Sequence, residues 1–231
     1  MMKTIGLLGG MSWESTVTYY QVINTTVKEK LGGLHSARCI IFSVDFEEIE
    51  RCQATGEWNE AGLVLQAAAQ KLQQAGADFI VLCTNTMHKV AGAIQAGIGV
   101  PFLHMADVMA AALKQKAAKS AILLGTQYTM EQDFIKGPLE AAGINIITPN
   151  RDDRVEINRI IFEELCLGVV EEGSKQFILG VLSRLQGRGG EAVILGCTEL
   201  GLLIGQQNCN VPVVDTALVH AKAAALQALE V

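Results

Sequence analysis

The chain has 231 residues, half of them apolar and 18% charged, with a formal net charge of -6 and a pI near 5.3. That balance excludes a disordered chain and supports a substantial buried core, as one large or two small domains. With no Lys/Arg block there is no electrostatic footprint for nucleic acid or an anionic membrane, so the expected partner is a small molecule.

The first apolar run, Ile5 to Leu8, is ended by Gly9-Gly10. It is too short for a signal peptide and far too short to span a bilayer, so a cytoplasmic location is expected. Further β-branched apolar runs follow at Cys39 to Val44, Phe79 to Leu82, Ala121 to Leu124, Ile144 to Ile147 and Val193 to Leu195. Stretches of helical period lie between them, for example Glu60 to Ala75, Val108 to Lys119 and Glu156 to Leu167. Strands apolar on both faces that alternate with helices predict a doubly wound α/β fold with parallel sheet. The charged run Pro149 to Arg154 reads as a solvated turn. Six cysteines, at 39, 52, 83, 166, 197 and 209, show no Cys-x-x-Cys spacing and are expected as free thiols.

The chain also matches itself. Ile5 to Gly10 aligns with Ala121 to Thr126, Ile80 to Thr86 with Val193 to Glu199, and Val100 to Leu103 with Val211 to Val214. Three matches in one order and at nearly one offset predict two copies of one α/β unit. The expected division is residues 1–107 and 108–215, with the last helix, 216–231, packing back on the first copy.

Ligands of open α/β sheets bind beyond the carboxyl ends of the strands. Thr84 and Cys197 hold equivalent places at two such ends. A pseudo-two-fold relation between the copies would set them across one cleft. Asn85-Thr86 and Thr198-Glu199 follow directly and are expected to cap two helices whose N-termini suit a carboxylate. Cys197, read as opening a helix, would have a lowered pKa and favour thiolate. Thr84 can equally be a plain N-cap. Gly9-Gly10-Met11-Ser12 ends the first strand, where glycines would let the backbone approach a ligand, and Gly125-Thr126 repeats that turn. Thr126 either contacts ligand or caps. Neither a dinucleotide fingerprint nor a phosphate loop is present, and His35, His88, His104 and His220 share no metal-ligand spacing, so no metal is expected. His88, one turn after Thr84, is expected to make a structural hydrogen bond.

The segments Gly9-Gly10-Met11-Ser12, Thr84-Asn85-Thr86-Met87-His88 and Gly196-Cys197-Thr198-Glu199 resemble the aspartate/glutamate racemase family, whose members are cofactor-independent racemases of two similar α/β domains. The resemblance implies a homodimer that needs no PLP, with two acid/base residues on opposite faces of the substrate α-carbon. Those two are usually cysteines. Here Cys197 matches the one that works on the L-face, whereas Thr84 stands in the place of the other. Cys83, one residue earlier, should point away into the core. The resemblance also sets Gly10, Met11, Ser12, Gln53, Asn85, Thr86, Thr126, Thr198 and Glu199 around the substrate, L-aspartate, L-glutamate or a related acid. Cys166 stands where some aspartate-specific members carry a lysine. Two other readings stay open, a decarboxylase or maleate-isomerase-type enzyme of the same superfamily and a two-lobed carboxylate-binding protein.

Overall fold

The structure, a computed structural model, describes residues 1–230. The chain forms two compact units. Unit 1 comprises Met1–Met105 together with the chain from His220 on, and unit 2 comprises Ala106–Val219.

Unit 1 runs β1 (Ile5–Gly9), α1 (Trp13–Leu31), β2 (Cys39–Ser43), α2 (Phe46–Thr55), α3 (Trp58–Gln74), β3 (Phe79–Leu82), a 3-10 turn (Thr86–Val90), α4 (Ala91–Ala96) and β4 (Phe102–Leu103). Its four strands are parallel in the order β2-β1-β3-β4. The central strands β1 and β3 are buried along their whole length, while edge strand β2 is only partly covered. That is why the first two read as unbroken apolar runs. Leu8, Ile80 and Leu82 pack with Leu65, Ala68, Ala69 and Leu72 of α3 in one core.

Between the units, α5 (Met105–Gln115) carries the chain into unit 2. There follow β5 (Ser120–Leu124), α6 (Gln127–Glu131), α7 (Asp133–Ala141), β6 (Asn145–Ile147), α8 (Arg151–Arg159), α9 (Glu172–Gln186), β7 (Val193–Leu195), α10 (Leu200–Leu203) and β8 (Val213–Asp215). The last helix, α11 (Thr216–Leu229), brings the chain back to unit 1. Unit 2 has the order β6-β5-β7-β8, again all parallel. Each strand therefore holds the place of its counterpart in unit 1. The three aligned segments fall on β1 and β5, β3 and β7, and β4 and β8.

Two elements differ from the sequence reading. The charged run at 149–154 opens α8 instead of forming a solvated turn. Asn150 caps it, accepting from the Asp153 N–H at 2.9 Å and donating to Asp153 Oδ2 at 2.9 Å. The helix expected over 156–167 gives way after Arg159 to a π-helical turn (Ile160–Glu164) and a 3-10 turn (Leu165–Leu167), which Gly168 ends at φ 76°. Burial of Ile157, Ile160, Ile161 and Leu165 keeps that irregular stretch on the unit 2 core.

Candidate functional site

In unit 1 the residues in question gather at the ends of adjacent strands β1 and β3, where Leu8 is paired with Leu82. Gly10 sits at φ 96°, and a Cβ there would run into the Val44 backbone, so only glycine fits. The Gly10 N–H is given to Thr16 Oγ1 at 2.9 Å, and that hydroxyl donates to the Ser12 carbonyl at 3.1 Å. The turn is thus explained by its approach to α1. Met11 is buried, and Ser12 caps α1 by accepting from the Ser15 N–H at 3.3 Å.

Thr84 follows β3 and is partly exposed; Asn85 is buried, and Thr86 opens the 3-10 turn. Gln53, from α2, donates to the Met87 sulfur at 3.0 Å, which fixes it against this turn. Cys83 is fully buried, donates to the Val81 carbonyl at 3.8 Å, and has its pKa driven upward, first by burial and then by Cys39. It is a core thiol, as strand alternation requires.

His88 lies beneath Thr84. Its Nδ1 is 2.7 Å from the Thr84 carbonyl, and its Nε2 accepts from the Met105 N–H at 3.2 Å. The proton is therefore on Nδ1. Its ring meets those of His104, His220 and Phe102 at centroid distances of 4.8, 5.8 and 5.8 Å. Buried His220 has Nδ1 2.8 Å from Tyr19 Oη and Nε2 2.9 Å from the Leu103 carbonyl. Three histidines 16 to 132 residues apart converge through the order of the strands, with no signal in their spacing. Four of their nitrogens are spent on protein groups; burial holds the His88 pKa well below its ordinary value and lowers that of His220 to about 4. Among the described residues one trio, Cys52, Glu57 and Glu60 of unit 1, brings potential metal donors within 4.8 Å, with both carboxylates exposed.

In unit 2 the corresponding residues stand at the ends of adjacent β5 and β7, where Leu124 pairs with Leu195. The Gly196 N–H bonds the Leu124 carbonyl at 2.7 Å, and a Cβ there would press on that oxygen, so the approach of the two turns requires glycine. Thr126 caps α6, accepting from the Thr129 N–H at 3.4 Å.

Cys197 does not open a helix. α10 begins at Leu200 and has only four residues, and the Cys197 thiol donates to Glu199 Oε2 at 2.8 Å. Burial first, and then the Glu199 carboxylate, raise the thiol's pKa well above 9.0. The expectation of a depressed pKa is thereby overturned, because a single turn of helix supplies little field against desolvation and a neighbouring anion. Thr198 also turns its hydroxyl to Glu199 Oε2, at 2.7 Å. Neither Asn85 nor Glu199, at the two cap positions, makes a side-chain cap. The expected pair of capped helix N-termini is replaced in unit 2 by one carboxylate that collects a thiol and a hydroxyl. Asp215, at the end of β8, has its pKa raised by burial and, more weakly, by Glu199, so a second carboxylate stands near the first. Cys166 is exposed and adds a small upward push on Cys197.

Such an arrangement can move protons. A thiol bonded to a carboxylate can hand over its proton and present a thiolate, a strong carbon base for its size.

Comparison with known proteins identifies the family. A candidate Asp/Glu racemase from Yersinia pestis superposes with a TM-score of 0.95 at 53% identity, over 99% of this chain and all of the other. An aspartate racemase homologue from Pyrococcus horikoshii OT3 gives a TM-score of 0.88 at 36% identity, again over 99% and all of the two chains. The broad specificity amino-acid racemase RacX of Bacillus subtilis is 22% identical over 94% of this chain and 95% of its own. Residues 8–224 fit the sequence model described as Asp/Glu/Hydantoin racemase, and with that span matched the chain belongs to this family of isomerases.

Proposed function

We propose that the protein racemises an acidic amino acid, L-aspartate, L-glutamate or a close relative, without a cofactor. Cys197 would work on the L-face of the α-carbon, with Thr84 opposite. The observation that carries the reading is the Cys197–Glu199 hydrogen bond at the end of β7, in the place that Thr84 holds after β3. The thiol proton passes to Glu199, and the thiolate removes the α-proton of the L-enantiomer. The planar carbanion then takes a proton on its other face, from the Thr84 hydroxyl or a water held by it, and D-product results; the proton left on Glu199 returns through solvent to the oxygen that gave one up. A bound α-ammonium beside Glu199 and Cys197 would favour the thiolate, because a neighbouring cation stabilises it.

The substrate class is inferred from the relatives, one an aspartate racemase homologue and another of broad specificity. Gly10, Met11, Ser12, Gln53, Asn85, Thr86, Thr126 and Thr198 are proposed to hold the substrate, in a homodimeric cytoplasmic enzyme. The test is a screen of L-amino acids in D2O, read by NMR for loss of the α-proton and by chiral chromatography for inversion. Exchange with inversion is expected for acidic substrates. Carbon dioxide release, double-bond isomerisation, or binding without exchange would replace this reading.

A further inference from the structure

We infer that His88 is a positioning residue for the Thr84 side of the reaction, setting the strand-end residue through its carbonyl and tying it to Met105. The proposal rests on the racemase reading above. Its geometric ground is separate, lying in the two bonds of the buried ring. Nδ1–H holds the Thr84 carbonyl at 2.7 Å, and Nε2 holds the Met105 N–H at 3.2 Å. Thr84 lies outside both β3 and the 3-10 turn, so no strand or helix ladder fixes its carbonyl. Met105 is the first residue of α5, where an N–H has no partner within the helix. One neutral ring therefore fixes two backbone groups that regular structure leaves loose.

The second copy of the α/β unit is built without this histidine. At the offset that aligns Thr84 with Cys197, His88 aligns with Gly201. Unit 2 builds the same strand, turn and following strand with no ring there, and a Cβ on Gly201 would lie 3.1 Å from Asp215 Oδ2. Each copy thus closes the gap between its third and fourth strand ends in its own way. Unit 1 uses His88 against His104, and unit 2 brings Asp215 against a glycine. Burial keeps His88 neutral, so the ring offers one donor and one acceptor at working pH.

Two substitutions separate the ring's functions. In His88→Asn the amide nitrogen takes the place of Nδ1 and keeps the donor to Thr84. In His88→Gln the amide oxygen reaches the place of Nε2 and keeps the acceptor for Met105. Each full-length variant would be incubated with L-substrate in D2O, with deuterium in recovered L-substrate and formation of deuterated D-product followed separately, and unfolding measured alongside. His88→Gln is expected to slow D-product about tenfold while wash-in into L-substrate stays within about twofold, and His88→Asn to restore D-product, as for one lost orienting contact. Loss of both steps together in step with stability would make His88 purely structural, and unchanged D-product in His88→Gln would overturn the proposal outright. A wild-type protein that exchanges no amino acid would instead sink the racemase reading, and this proposal with it.

Discussion

The proton of Cys197 points at Glu199, with Sγ 2.8 Å from Oε2, and Thr198 Oγ1 reaches the same oxygen at 2.7 Å. The carboxylate then has two opposed effects. As an anion it makes the thiolate harder to form, whereas as an acceptor it gives the thiol proton somewhere to go.

Glu199→Gln separates those effects. Removing the charge should lower the Cys197 pKa, so alkylation of the Cys197 peptide by iodoacetamide, followed by mass spectrometry, should begin at lower pH than in the native protein. Removing the acceptor should slow α-proton exchange at pH 7 by about a hundredfold, the lower end of general acid–base contributions. An alkylation profile displaced to higher pH, or exchange left intact, would show that Glu199 does neither.

Cys197→Ser should abolish exchange in a folded protein. Cys83→Ser should leave it within about twofold, since Cys83 is fully buried and bonded to its own strand. NMR exchange with circular dichroism on both variants checks the pair. The reverse pattern would move the L-side base from β7 to β3.

The parts of this molecule that could be read from sequence are those written in contiguous residues. Buried strands such as Phe79–Leu82 appear as short apolar runs, and the repeated order of four strands appears as three aligned segments. The strand-end positions of Thr84 and Cys197 follow from those runs. What could not be read depends on distance through space. Burial of the thiol, and after it the Glu199 carboxylate folded back on Sγ, reversed the expected shift of the Cys197 pKa, where the chain forms no helix before Leu200. His88, His104 and His220 meet only because β3, β4 and the returning α11 are neighbours in unit 1. The helix begun by Asn150 was hidden by its charge, although an Asn three residues before an Asp is a capping signal.

His220 makes stability depend on pH. Its pKa is about 4 in the folded protein against 6.5 as the ordinary value, lowered first by burial and then by nearby His104. Above pH 6.5 the ring is neutral in both states and the native hydrogen bonds to Tyr19 and Leu103 are kept. Between 6.5 and about 4 the unfolded chain takes up a proton that the folded one refuses, so stability falls as pH falls. At pH 5 the loss from this residue should be about 2 kcal/mol, at 1.36 kcal/mol for each unit of difference. His220→Gln should be less stable at pH 7 yet lose less between pH 7 and 5, measured by urea unfolding. Parallel losses in the two proteins would assign the pH dependence to other groups.

Thr84 is partly exposed, and the proposed mechanism assigns it to the D-side step. A threonine hydroxyl is a poor base at neutral pH, so the L-side step keeps its catalyst while the D-side step lacks one. Racemisation has an equilibrium constant of one, and the two directions must therefore share one kcat/KM at steady state. The imbalance has to appear elsewhere, as exchange without inversion. Starting from L-substrate in D2O, deuterium should enter recovered L-substrate faster than D-product forms, because the carbanion is reprotonated from Cys197 more readily than from the Thr84 side. Thr84→Cys supplies a thiol on that side and should speed D-product formation by about a hundredfold, the lower end of what a positioned acid or base contributes. The ratio of wash-in to inversion should then fall toward one. If a folded Thr84→Cys that still binds substrate left the ratio unchanged while Cys83→Ser raised it, the facing group would be Cys83 and the assignment of Thr84 would be withdrawn.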